Sequence, residues 1–149
     1  MKRIHIFFIG CTLFTACNTS ALHVELGDSC APAEAEVFFQ GIYKSDRGVC
    51  GDYYCWTYLR FFPDCTYESV AAFEENIYTV ASKYFIASEN IEKNNGRYSI
   101  EGEILKMKSE NNEHMGNTNN GALTLKFYSP VSKKSGNKTY QFYPFDAMK

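Results

Sequence analysis

Six cysteines and three histidines carry the most reactive chemistry in this chain of 149 residues, since thiolates and imidazoles ligate metals, and thiols also form disulfides or act as nucleophiles. Three of the cysteines fall in "CGDYYCWTYLRFFPDC", Cys50 to Cys65, beside the only tryptophan, Trp56. A four-thiolate zinc site favours close ligand pairs such as C-x2-C. The gaps after Cys30 hold nineteen, four and nine residues, and His5, His23 and His114 form no cluster, so neither a metal nor another cofactor is expected. His114 and Met115, in "NNEHMGNTNNG", read as a solvated polar loop rather than a copper ligand pair. Catalysis would call for a nucleophile with its base, paired carboxylates in a cleft, or a motif such as G-x-S-x-G or H-E-x-x-H. These motifs are absent and most acids fall in turns or at helix ends, leaving Glu68 and Glu74 as the only acids with a conceivable role. The expectation is a protein that is not an enzyme.

The amino-terminal segment decides which cysteines remain to be placed. Met1-Lys2-Arg3 is basic, and Ile4 to Ala16 is apolar with small residues at its end, the pattern of an export signal. A membrane span needs roughly 20 apolar residues, and this run turns polar at Asn18-Thr19-Ser20. "LFTAC", Leu13 to Cys17, resembles the lipobox of bacterial lipoproteins, with Phe14 where an aliphatic residue is usual. That resemblance implies cleavage after Ala16 and acylation of Cys17, and Asn18 at the next position implies the outer membrane, facing the periplasm or the cell surface. Each buried methylene of such an anchor contributes roughly 0.8 kcal/mol to membrane affinity, so a soluble body can still be tethered.

Removal of residues 1–16 takes Lys2 and Arg3, leaving thirteen basic side chains against seventeen acidic ones and moving the formal net charge from −2 to −4. Lys133, Lys134 and Lys138 are the nearest approach to a basic cluster, too sparse for nucleic acid. The remaining 133 residues suit one domain. Residues 17–36 carry little periodicity and are read as the lipidated cysteine with a flexible tether, and residues 37–149 as a single β-rich domain.

The elements of that domain follow from pattern. "VFFQGIY", Val37 to Tyr43, is a first strand, and Lys44 to Gly51 a loop. "YYCWTYLRFF", Tyr53 to Phe62, and "TYESVAAF", Thr66 to Phe73, make a hairpin around Pro63-Asp64. Ile77, Val80, Tyr84, Ala87 and Ile91 recur at helical spacing, which favours a helix over residues 74–94, with a strand pair as the competing reading. "RYSI", "EILKMK", "ALTLKFY" and "TYQFYPF" then alternate as short strands, placing Tyr98, Ile100, Leu105, Met107, Leu123, Leu125, Phe127, Tyr140 and Phe142 on an inward face. The expected fold is mainly β, an antiparallel up-and-down barrel or sandwich of about seven strands with one covering helix. Both faces of residues 53–62 are large and apolar, so the helix is expected to cover one of them.

If Pro63 and Asp64 take the two central turn positions, Phe62 faces Cys65 and Cys55 faces Ala72. Cys55 and Cys65 are then separated by several times the roughly 7 Å Cα limit for a disulfide. In an exported chain with Cys11 in the signal and Cys17 acylated, two pairings of the other four cysteines remain open. One joins Cys50 to Cys55 and Cys30 to Cys65, the other Cys30 to Cys55 and Cys50 to Cys65.

"GIY", Gly41 to Tyr43, on a first strand followed by up-and-down strands resembles the G-x-W motif of lipocalin-like barrels, which implies a small molecule held inside. Locally, "YLRFFPDCTY" is similar to the "YLRFFPDGT" hairpin in the carboxy-terminal domain of an F-box family, with Cys65 in place of the turn glycine. The functional expectation is a non-catalytic, lipid-anchored binding protein of lipocalin-like type with Trp56, Tyr58 and Arg60 at a site for a small apolar ligand. The alternative is a cell-envelope interaction or structural lipoprotein that meets another protein. For the same three residues the plainer account is packing beneath the helix, with Arg60 snorkelling to water.

Overall fold

A computed structural model describes residues 22, 24–27, 30, 39–87, 93–119 and 121–146. The expected signal segment and the acylation site Cys17 lie outside the described residues. The strands are β1 (Gly41–Ser45), β2 (Gly48–Cys50), β3 (Tyr53–Phe61), β4 (Thr66–Ala72), β5 (Asn94–Glu101), β6 (Ile104–Ser109), β7 (Glu113–Asn119), β8 (Ala122–Ser129) and β9 (Lys134–Pro144). Each pairs antiparallel with its sequence neighbour from β2 through β9, apart from β1, which pairs with β9 and β3. The β1–β3 pairing, Tyr43 opposite Leu59, closes eight strands into an up-and-down barrel, and β2 extends beyond the ring as an added strand on β3.

Alternation fills the barrel as expected. Tyr43, Leu59, Phe61, Tyr98, Ile100, Leu105, Met107, Leu123, Leu125 and Tyr140 are buried in one interior cluster. Edge-on aromatic contacts knit it together, with Phe61 5.0 Å from Tyr98 and 5.5 Å from Tyr43 between ring centroids. Gly41 is required at the barrel seam: a Cβ there would lie 2.3 Å from the Tyr143 carbonyl oxygen and 2.6 Å from the Phe142 ring.

A second cluster lies outside the barrel. Ile42, Tyr58, Val70 and Ala72 point outward from β1, β3 and β4 and pack against Val80, Ala81 and Phe85. These belong to a short helix, α1 (Ile77–Val80), which continues as a π-helical segment over Ala81–Ile86. The helix is thus shorter than the 74–94 expected, and residues 88–92 lie outside the described residues. It starts at Asn76, whose side-chain oxygen accepts from the Tyr78 and Thr79 amides and so satisfies two of the free donors of the first turn.

The hairpin register differs from expectation by one residue. Phe61 faces Tyr67 and Trp56 faces Ala72, so the loop has three residues, Pro63, Asp64 and Cys65. Cys65 takes the left-handed conformation, φ 67°, the geometry that a glycine would adopt more easily. Asp64 supports the turn by accepting from the amide and hydroxyl of Thr66, which holds its carboxyl below the ordinary value. The left-handed Cys65 is bonded to Cys30, and Cys50 is bonded to Cys55 within the β2–β3 hairpin, with Cα separations of 5.2 and 5.8 Å. This is the first of the two pairings left open by the sequence.

Three further readings are corrected. Residues 48–50, expected in a loop, form β2, pinned to β3 by the Cys50–Cys55 bond. The "NNEHMGNTNNG" loop contains β7, whose polar residues are tolerated because Asn117 and Asn119 face water while His114 and Thr118 point inward. The described part of the expected tether packs on the barrel. The Val24 side chain is buried, its amide donates to Glu113 Oε2, the Gly27 amide donates to Ser99 Oγ, and Cys30 joins the interior cluster beside the β3–β4 turn. Residues 24–27 therefore lie against the outer wall, and Cys30 sits at the end of the barrel that holds the Pro63 and Gly102 turns.

Candidate functional site

The end closed by Cys30 leaves the opposite one, ringed by the loops after β6 and β8, as the place for a site. β5 pairs with β4 from Thr66 to Ser69, and among the described residues Val70 to Ala72 have no partner on that side. The inward positions at this level are small or polar rather than bulky aliphatic: Thr57 on β3, Ser69 and Ala71 on β4, His114 on β7 and Lys138 on β9. Gly136, opposite Phe127, keeps space beside that ring, because a Cβ there would sit 2.8 Å from it. The result is an open-mouthed cavity of about 710 Å³ lined by Leu59, Phe127 and Tyr140, with Lys93 to Asn95 and Glu110 to Asn112 at its rim. Its size falls within the range usual for small-molecule sites.

Its electrostatics come from three side chains. The Lys138 ammonium donates to Thr57 Oγ1 at 2.7 Å and lies 5.6 Å from the Phe127 ring centre. Burial lowers its pKa. His114, with its ring 6.2 Å from that of Phe127, is pushed down to about 4 by burial and secondarily by the Lys138 charge, so it is neutral at pH 7. Tyr140 is 1% exposed, and burial raises its hydroxyl pKa, helped by the Tyr67 hydroxyl. Among the described residues, His114 Nδ1 and Tyr140 Oη have no hydrogen-bond partner. No group of three or more His, Cys, Asp or Glu among the described residues is placed to hold a metal ion.

Trp56, Tyr58 and Arg60, expected at the ligand site, point the other way. They alternate with Cys55, Thr57, Leu59 and Phe61, so in a closed barrel they face out when Thr57 and Leu59 face in. Tyr58 is wholly buried under the helix, where its hydroxyl donates to the Glu74 carbonyl at 2.7 Å, and burial with the nearby Glu74 and Glu75 carboxylates pushes its pKa up to about 12. Arg60 Nη1 donates to the Phe85 carbonyl at 3.1 Å and its guanidinium lies over Phe62. Trp56 flanks the outer cluster, 5.4 Å below Lys44 Nζ, and lines a shallow polar cleft of about 360 Å³ with Lys44, Arg47, Glu75 and Tyr143. Tyr58 and Arg60 thus bond to the segment that holds the helix, Arg60 to a carbonyl rather than reaching water with its whole guanidinium, and Trp56 packs at the edge of the outer cluster.

Lys138 was within reach of sequence reasoning. The alternation that places Tyr140 and Phe142 inward, continued back by two residues, places Lys138 inward as well. His114 carried no such signal, because the asparagines around it resemble loop composition.

Fold and site together define a closed antiparallel barrel with one end plugged and the other opening on a partly enclosed lysine. No protein-family model, curated protein or solved structure matches the chain.

Proposed function

We propose that this is an exported, non-catalytic binding protein of lipocalin-like type, anchored by an acylated Cys17, that holds a small molecule in the open end of its barrel. The observation that carries the reading is the cavity of about 710 Å³, lined by the polar side chains of Thr57, His114 and Lys138 and by the apolar ones of Leu59 and Phe127. A neutral imidazole beside an ammonium, with no carboxylate or nucleophilic hydroxyl bonded to it among the described residues, is suited to recognition rather than to proton transfer. Two disulfides accord with an exported chain.

Fluorescence titration with 1-anilinonaphthalene-8-sulfonate tests the site. Saturation at one dye per protein, abolished by Ala71→Trp, is the expected result, since Ala71 shares the cavity wall with Thr57 and the indole would fill the mouth. Dye binding that ignores Ala71→Trp would overturn the reading.

One observation favours a protein partner instead. Val49, Tyr53, Tyr54 and Phe73 are all more than half exposed around the β2–β3 hairpin, and Tyr53 stacks edge-on against Phe73. If these residues form the functional surface, Tyr53→Ser with Phe73→Ser will abolish capture of an envelope protein while leaving dye binding intact.

A further inference from the structure

The ligand's chemical class follows from charge and hydrogen-bond accounting within the cavity, and this inference rests on the cavity being the binding site. Lys44, Lys93, Lys106 and Lys108 each pair with a glutamate at the barrel surface. Lys138 is more enclosed than an ordinary surface lysine, yet among the described residues no carboxylate lies within ion-pairing distance of it, and its ammonium, which has three donors, makes a single hydrogen bond, to Thr57. A cation partly withdrawn from water and without a counter-charge favours a bound anion. His114 is neutral at pH 7 and adds no second positive charge. Glu110 is exposed on the rim, where water and salt screen it from the interior.

The neighbouring groups extend the description beyond charge. His114 Nδ1 and Tyr140 Oη are buried polar atoms without partners among the described residues, both on side chains that line the same cavity. The Lys138 ammonium, with donors to spare beside these groups, is the atom of the set best placed to meet a ligand oxygen. Phe127 and Leu59 offer a flat aromatic face and an aliphatic one to the remainder of the ligand.

We infer that the cavity takes a small organic monoanion, its carboxylate or sulfonate held by Lys138 and its apolar, preferably flat, body lying against Phe127 and Leu59. The Thr57 hydroxyl holds the ammonium towards the cavity and is a positioning group.

Two dyes with the same aromatic skeleton separate the claims. 1-Anilinonaphthalene-8-sulfonate is anionic, and N-phenyl-1-naphthylamine is neutral. The anionic dye is expected to bind about ten-fold tighter, a charge-assisted contribution of about 1.4 kcal/mol, and to lose that advantage in Lys138→Met while the neutral dye keeps its affinity. Added salt weakens the anionic dye alone. Equal affinities in the unaltered protein, or an anionic dye indifferent to Lys138→Met, would overturn the inference but leave the cavity as a binding site. Failure of both dyes would remove the site itself. Should Lys138→Met not fold, Thr57→Val serves instead. It is expected to weaken only the anionic dye, and an equal effect on both dyes would count against the inference.

Discussion

At the scale of the residue, His114 shows how position converts an ordinary side chain into a constraint on conditions. Its imidazole takes a proton near pH 6.5 in the unfolded chain but only near 4 in the folded barrel, because burial and then the Lys138 charge disfavour the cation. Between those values the unfolded state binds more protons, so stability is complete above about pH 6.5 and declines as pH falls towards 4, by roughly 3 kcal/mol in all. Groups facing His114 across the cavity, Lys138 and Tyr140, do not change charge in that window, and Asp64, whose carboxyl is lowered, titrates below it. Denaturant unfolding at pH 7 and pH 4.5 is expected to show this loss in the unaltered protein and to show it much reduced in His114→Leu. An undiminished acid loss in the variant would place its origin elsewhere.

At the scale of the element, β3 serves two layers, and its faces are separable by mutation. Phe85→Ala opens the outer cluster under the helix and is expected to cost about 3 kcal/mol by denaturant unfolding, while one-to-one dye binding survives because the cavity lies on the other side of the strand. Tyr58→Phe removes the hydrogen bond to the Glu74 carbonyl and is expected to cost about 1 kcal/mol, again without effect on the dye. The two disulfides differ in what they restrain. Cys30–Cys65 closes a sequence separation of 35 and Cys50–Cys55 one of 5, so loop-closure entropy assigns about 4 kcal/mol to the first and about 2 kcal/mol to the second. Replacing each pair by serine and comparing unfolding midpoints checks the order, which reverses if the β2–β3 hairpin rather than the outer strap limits stability.

At the scale of the whole molecule, the barrel plugs one end with its own amino-terminal strap and leaves the other open, and the proposed anchor precedes that strap. Intact-mass analysis of protein expressed with its own leader in an exporting bacterial host is expected to find a mature chain that begins at an acylated Cys17, and Cys17→Ser is expected to release the protein from the membrane fraction. An unmodified Cys17, or cleavage at another residue, would end the lipoprotein reading without touching the cavity.

Much of this architecture was already written in the residues. Period-two alternation in "ALTLKFY" and "TYQFYPF" assigned the inward faces, and the apolar character of both faces of residues 53–62 required a second covering layer, because burial of side chains is local to a strand and visible in its spacing. The cysteines narrowed to two pairings once Cys11 and Cys17 were assigned to the signal and the anchor and hairpin geometry excluded Cys55–Cys65. What only the tertiary structure decided was closure: which face of β3 looks into the barrel, that His114 lies on an inward strand rather than in a loop, and that Lys138 meets Thr57 from the far side of the sequence. Those facts depend on β1 pairing with both β3 and β9, contacts between residues distant in the chain, and no local pattern records which surfaces such contacts will enclose.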